Sequence, residues 1–179
     1  MYPAKVMTAG EGGFIVTNNK KLRDKLLMIR NHGMLKGYDT RLLGLNLRLP
    51  EINAAIATVQ MKKLPKFLKT REKNAKLLSK LLSKSNLDLP LERKNENVNW
   101  YLYTVTTPKR NMLLKKLNAK GIGAASYYPI PVHKTPFYKS KTKLPITDWA
   151  ASNVLSLPIH PKVTAKNIEF IAKTISEIL

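Results

Sequence analysis

The chain predicts an α/β fold in two parts, a remnant of a larger domain over residues 1–64 and a small α/β sandwich over 65–179. Three observations carry this. At 179 residues and 44% hydrophobic composition the chain can bury one ordinary core, but is short for two complete domains. Pro65 interrupts a long helical pattern and marks a joint near Leu64. Beyond it, helical and strand-like segments alternate in the order helix, strand, helix, strand, helix.

The first nineteen residues read as a loop leading into a short buried strand. Gly10, Gly12 and Gly13 precede the apolar run Phe14-Ile15-Val16, and Asn18-Asn19 stops it. Lys20 to Asn31 carries Leu22, Leu26 and Ile29 on one face of a helix that ends at His32-Gly33, where glycine suits a left-handed cap. Residues 33 to 48 are loop. Pro50 suits a helix start, and Ile52, Ala55, Ile56, Val59 and Met61 are crowded enough to predict burial on more than one side.

From Lys66 to about Lys84 a second helix is expected. Lys66, Lys69, Lys73, Lys76, Lys80 and Lys84 recur at three- and four-residue steps and gather on one face, while Phe67, Leu68, Ala75, Leu78, Leu81 and Leu82 project the other way. Val98 to Thr106 is β-branched and aromatic and predicts a strand, Arg110 to Lys120 a helix, and Gly121 to Tyr128 a second strand. Ser126 to His133 is stiffened by proline, residues 147 to 155 form a short helix, and residues 157 to 161 an extended turn. Thr164 caps a final helix.

Composition excludes several function classes. There is no cysteine, so disulfide and thiolate chemistry are out, and His32, His133 and His160 are too scattered for a metal site. No segment approaches the roughly 20 apolar residues that cross a bilayer. A cytoplasmic, metal-free protein is expected. The net charge of +21 points toward nucleic acid only if it clusters. A compact chain of 20.3 kDa exposes roughly 8,800 Å², and salt screens charges beyond about 8 Å, so an even surplus needs no partner. The one cluster is the lysine helix. It lacks the interleaved aromatics of single-strand binders, and a solvated helix face accounts for it better than nucleic acid or an anionic membrane.

The opening residues carry the candidate chemistry. Lys5 stands among small residues ahead of Gly10-Glu11-Gly12-Gly13, whose glycines permit close backbone approach to a ligand. A lysine there is either a Schiff-base nucleophile or a surface lysine before a turn.

Tyr2-Pro3-Ala4-Lys5, continued by Thr8-Ala9-Gly10-Glu11-Gly12-Gly13-Phe14-Ile15-Val16-Thr17-Asn18, resembles the cofactor-lysine segment of the DegT/DnrJ/StrS sugar aminotransferases. Arg30-Asn31-His32-Gly33, Leu43 to Leu49, and Ala54-Ala55-Ile56 with Gln60 are similar to the family's next motifs, in the same order. Trp100 to Tyr103, Gly121-Ile122-Gly123, Tyr128-Pro129-Ile130-Pro131-Val132-His133 and Leu155 to Pro158 follow in family order.

The resemblance implies the C-terminal part of a fold-type-I pyridoxal-phosphate enzyme that moves an amino group from an amino acid, glutamate for preference, to a keto-sugar nucleotide in surface polysaccharide or amino-sugar biosynthesis. It implies that Lys5 bonds pyridoxal 5'-phosphate and shuttles the proton. By the same likeness Asn46 reaches a cofactor phosphate across a dimer interface, and Tyr127, Tyr128 and His133 border the sugar-nucleotide site. Asn46 as a turn residue and His133 as a packing residue remain open, and His32 and His160 read as structural. Family members are about twice as long, and the ring-stacking aromatic, the aspartate that pairs with the ring nitrogen and most phosphate ligands lie in the other half. Tyr101 and Tyr127 also stand where histidine is common in the family. The expected partners are therefore a second copy of the chain or a separately encoded N-terminal half, with little activity from this chain alone. The alternative is an inactive basic module that contacts nucleic acid or an acidic partner.

Overall fold

A computed structural model describes residues 1–179. Its elements are α1 (Lys20–Arg30), α2 (Glu51–Leu82), β1 (Tyr103–Thr106), α3 (Arg110–Ala119), a 3-10 turn (Val132–Lys134), α4 (Pro145–Asn153), β2 (Val154–Leu157) and α5 (Ala165–Ile178). Internal contacts divide the chain into two compact units, Met1–Pro65 and Lys66–Leu179.

In Met1–Pro65 the helices form from local signals. Asn19 caps α1 by accepting the Leu22 N–H at 3.0 Å. At its other end His32 and Gly33 both take positive φ, 57° and 75°, and the chain turns back. The strand expected at Phe14-Ile15-Val16 does not form. These residues are 58%, 71% and 83% exposed, because no strand of the chain hydrogen-bonds to them and an unpaired strand gains no ladder.

The core expected around Ile52, Ile56, Val59 and Met61 is also absent from this chain. All four are exposed, and Ala9 and Gly33 are the only buried residues of the unit.

The break expected at Pro65 does not occur, and α2 runs continuously from Glu51 to Leu82. Proline forfeits one bond, to the Met61 carbonyl four residues back. Pro65 and Met61 are both exposed, so water can take that carbonyl, while strong helix formers on either side carry the helix through.

Within Lys66–Leu179 a single core joins Ala75, Leu78 and Leu82 of α2 to Tyr103 and Val105 of β1, Leu113 and Leu117 of α3, Leu155 and Leu157 of β2, and Ile168, Ile171 and Ile175 of α5. The expected lysine face is exposed at all six positions. Leu81 departs from its expected place and is 41% exposed. Thr164 caps α5 and exchanges hydrogen bonds with Asn167 in a capping box.

β1 and β2 pair antiparallel with Thr104 opposite Ser156, whose hydroxyls lie 2.9 Å apart. β1 is shorter than expected and begins after Trp100, which has φ 48°. Of the strand expected over Gly121–Tyr128 only Ala125 pairs, exchanging two backbone bonds with Ser156. Instead β2 forms directly after α4, in residues expected to end a helix and begin a turn. Flanked by β1 and Ala125, it buries Leu155, Ser156 and Leu157 in succession, the pattern of an interior strand.

Candidate functional site

Lys5 lies on an exposed turn whose backbone is fixed from within. Its own N–H donates to the Tyr2 carbonyl at 3.0 Å, and the Ala9 N–H and Thr8 hydroxyl both donate to the Met1 carbonyl, at 3.1 and 2.9 Å. Ala9 is fully buried. The Asn53 amide, on the first turn of α2, donates to the Ala9 carbonyl at 2.6 Å. Gly12, at φ 114°, lets this loop lie against Leu49; a Cβ there would stand 2.5 Å from the Leu49 Cδ1.

Asn46 is exposed on a segment laid antiparallel along the end of α1. His32 donates to the Leu45 carbonyl at 3.0 Å, Leu47 to the Arg30 carbonyl at 3.0 Å, and Leu45 to the Ile29 carbonyl at 2.8 Å. The crossing is possible because Gly33 and Gly44 meet backbone to backbone: a Cβ on Gly33 would fall 1.7 Å from the Leu42 oxygen. Arg48 adds a side-chain tie, donating through Nε and Nη2 to the Asn31 Oδ1 at 3.2 and 2.8 Å. A cleft of about 640 Å³ opens beside this segment, lined in part by Met28, Arg30, Asn31, Met34 and Arg48.

The other candidates belong to Lys66–Leu179. Tyr127 and Tyr128 are 50% and 74% exposed, their rings edge to face at 5.6 Å. His133 sits in the 3-10 turn with a side chain only 12% exposed, its Nε2 facing Asp148 Oδ1 at 3.5 Å. Lys134 reaches the other oxygen of Asp148 at 2.8 Å. His32 joins the turn through its backbone N–H, which donates to the Leu45 carbonyl. His160 Nδ1 accepts the Lys162 N–H at 3.3 Å, and burial, then the charges of Arg71 and Lys162, hold its imidazole below the ordinary histidine range.

Sequence reasoning overlooked three residues. Asn53 and Asp148 carried no pattern beyond a place near a helix start. Arg71 lies among the lysines of α2 with nothing in the sequence to set it apart, yet it is buried and donates through Nη1 to the Trp100 and Tyr101 carbonyls at 3.1 and 3.0 Å. Burial lowers its guanidinium from the ordinary value. The exposed lysines border a shallow trough of about 530 Å³ with Thr70 and Glu72, and Glu72 pairs Lys76 at 2.5 Å. There is no grouping of side chains able to hold a metal ion and no helix long and apolar enough to cross a membrane.

A lysine-bearing glycine loop, a loop-and-helix unit and a small α/β sandwich together define part of an aminotransferase of fold type I. The chain belongs to the DegT/DnrJ/EryC1/StrS aminotransferase family, which it matches over residues 1–176. It is 35% identical to the dTDP-3-amino-3,4,6-trideoxy-alpha-D-glucose transaminase of Streptomyces venezuelae, over 89% of this chain and 44% of that protein. It is 34% identical to a pleiotropic regulatory protein of Geobacillus stearothermophilus, over 98% and 50% respectively. Among solved structures it resembles a DegT DnrJ EryC1 StrS aminotransferase from Brucella abortus, with a TM-score of 0.91 at 28% identity over 98% of this chain and 48% of the other. It also resembles S. venezuelae DesV in complex with a ketimine intermediate, with a TM-score of 0.89 at 30% identity over 98% and 49%. The chain spans about half the length of the relatives it matches.

Proposed function

We propose that this chain is the C-terminal half of a cytoplasmic pyridoxal-phosphate aminotransferase that passes an amino group from glutamate to a keto-sugar nucleotide, in surface polysaccharide or amino-sugar biosynthesis. The observation that supports this most directly is the loop Tyr2–Gly13: an exposed primary amine at Lys5, on a backbone held by Ala9 and Asn53, within a sequence that matches the family throughout. Those residues fit the cofactor's aldehyde, because a lysine amine bonds such a carbon reversibly and then serves as acid and base at the same atom. When bound, pyridoxal phosphate supplies the electron sink.

In this reading Lys5 Nζ takes the proton from the donor's amino carbon and returns it on the other side of the transfer. The Asn46 amide donates to an anionic phosphate oxygen, and its segment cannot drift because it is bonded to the end of α1. Tyr127 and Tyr128 offer ring faces and hydroxyls to the sugar nucleotide, and His133 a ring nitrogen. Residues 1–64 act as the remnant of the cofactor domain and residues 65–179 as the small domain. Exposed Ile52, Ile56 and Val59 supply an apolar face for a second copy or a separately encoded N-terminal half.

The test is to incubate the chain with pyridoxal phosphate, reduce with borohydride and map the modified lysines by mass spectrometry, with and without the N-terminal half of a family member. Labelling concentrated at Lys5 is the expected result, strongest in the complex. Labelling spread evenly over the exposed lysines of a folded complex overturns the reading.

A further inference from the structure

We infer that Asp148 is the positioning residue of His133: from the first turn of α4 it fixes the imidazole with the proton on Nε2 and leaves Nδ1 as the hydrogen-bond acceptor offered to a sugar hydroxyl. The part about the hydroxyl rests on the reading that His133 borders the sugar-nucleotide site; the part about the ring stands on its own geometry.

His133 Nε2 and Asp148 Oδ1 face each other at 3.5 Å, both are buried at the atom, and neither has another hydrogen-bonding partner. At that separation the contact is looser than a formed N–H···O bond. Two complementary buried atoms with no competing partner are nonetheless driven together, because each is costly to leave unpaired. The carboxylate already has its counter-charge, since Lys134 Nζ lies 2.8 Å from Oδ2. What Oδ1 takes from the ring is therefore an N–H.

The backbone holds the other end of the arrangement. The Ser140 N–H donates to the His133 carbonyl at 2.8 Å, and the Lys134 and Thr135 N–H groups donate to the Pro131 and Val132 carbonyls at 2.9 and 3.1 Å. The Asp148 N–H donates to the Leu144 carbonyl at 2.9 Å, so the carboxylate rides on a formed helical turn. A ring nitrogen whose partner carries the proton has one role left, that of acceptor, and a hydroxyl-rich ligand is the class that supplies a donor to it. A second element aiming a histidine in this way is the arrangement by which carboxylates set imidazole tautomers generally.

The experiment is two-bond nitrogen–proton correlation spectroscopy of the imidazoles in the full 179-residue chain at about pH 8, well above the ordinary histidine value of about 6.5. The expected result is a single His133 tautomer protonated at Nε2. Asp148→Ala should lose that preference and give averaged signals from both tautomers, and Asp148→Glu should restore the Nε2-protonated form. An Nδ1-protonated wild-type ring overturns the proposal, as does an Asp148→Ala chain, folded by circular dichroism, with unchanged His133 signals. Should the alanine variant not fold, the wild-type and glutamate spectra decide alone. Because the readout needs neither cofactor nor substrate, failure here is distinct from failure of the lysine-labelling test.

Discussion

Asn53 donates its side-chain amide to the carbonyl of Ala9 at 2.6 Å, across 44 residues of sequence. Ala9 is the one fully buried residue of the loop that carries Lys5, so this bond and the Thr8–Met1 contact set the loop's shape. Removing the amide in Asn53→Ala should cost about 1 kcal/mol, which corresponds to roughly a fivefold rise in the open population of the loop. Hydrogen exchange of the amides between Lys5 and Gly12 should quicken by about that factor while α5 stays unchanged. Equal exchange in both proteins would mean that the Met1 contacts hold the loop unaided.

Arg71 offers a second test, in the other unit. Two backbone carbonyls accept from one guanidinium nitrogen, and the residue is 8% exposed. Arg71→Met keeps the bulk and strands the Trp100 and Tyr101 carbonyls, losing hydrogen bonds to a charged donor worth about 1.5–3 kcal/mol, part of which returns as relief from desolvating the charge. A net loss of about 2 kcal/mol in urea denaturation is expected, with Arg71→Lys falling between the two. A methionine variant as stable as the parent would show that the carbonyls find other donors.

The pH dependence follows from His160. Partial burial of the ring, then the charges of Arg71 and Lys162, lower its folded value below the ordinary 6.5, so the unfolded chain binds the proton more readily. Stability from this group is therefore complete above about pH 6.5 and is lost as the pH falls toward the folded value. Urea midpoints measured at about pH 8 and about pH 5.5 should differ, and His160→Gln should shrink the difference. The residue is exposed, so the effect is modest; a difference of the same size in the variant would assign it to other groups.

Local chemistry made much of this protein legible from its residues. The start of α1 at Lys20, the His32-Gly33 turn, the helix near Arg110–Lys120 and the Thr164 cap all depend on neighbours within a few positions, and each forms where the pattern indicated. Lys5 stood out through the motif it shares with its family, as did Asn46 and the Tyr128–His133 segment.

Other features required the chain to meet itself. Leu155-Ser156-Leu157 is a strand because β1 and Ala125 pair with it on either side, and no property of four residues after a helix announces that. Arg71 is an interior donor because the carbonyls of Trp100 and Tyr101 arrive beside it, 29 and 30 residues on. His133 acquires an orientation only where α4 brings Asp148 to it. Caps and turns are bonds between near neighbours and can be read in order along the chain. The partners of a buried polar group come from distant segments, and only the folded backbone decides which ones arrive.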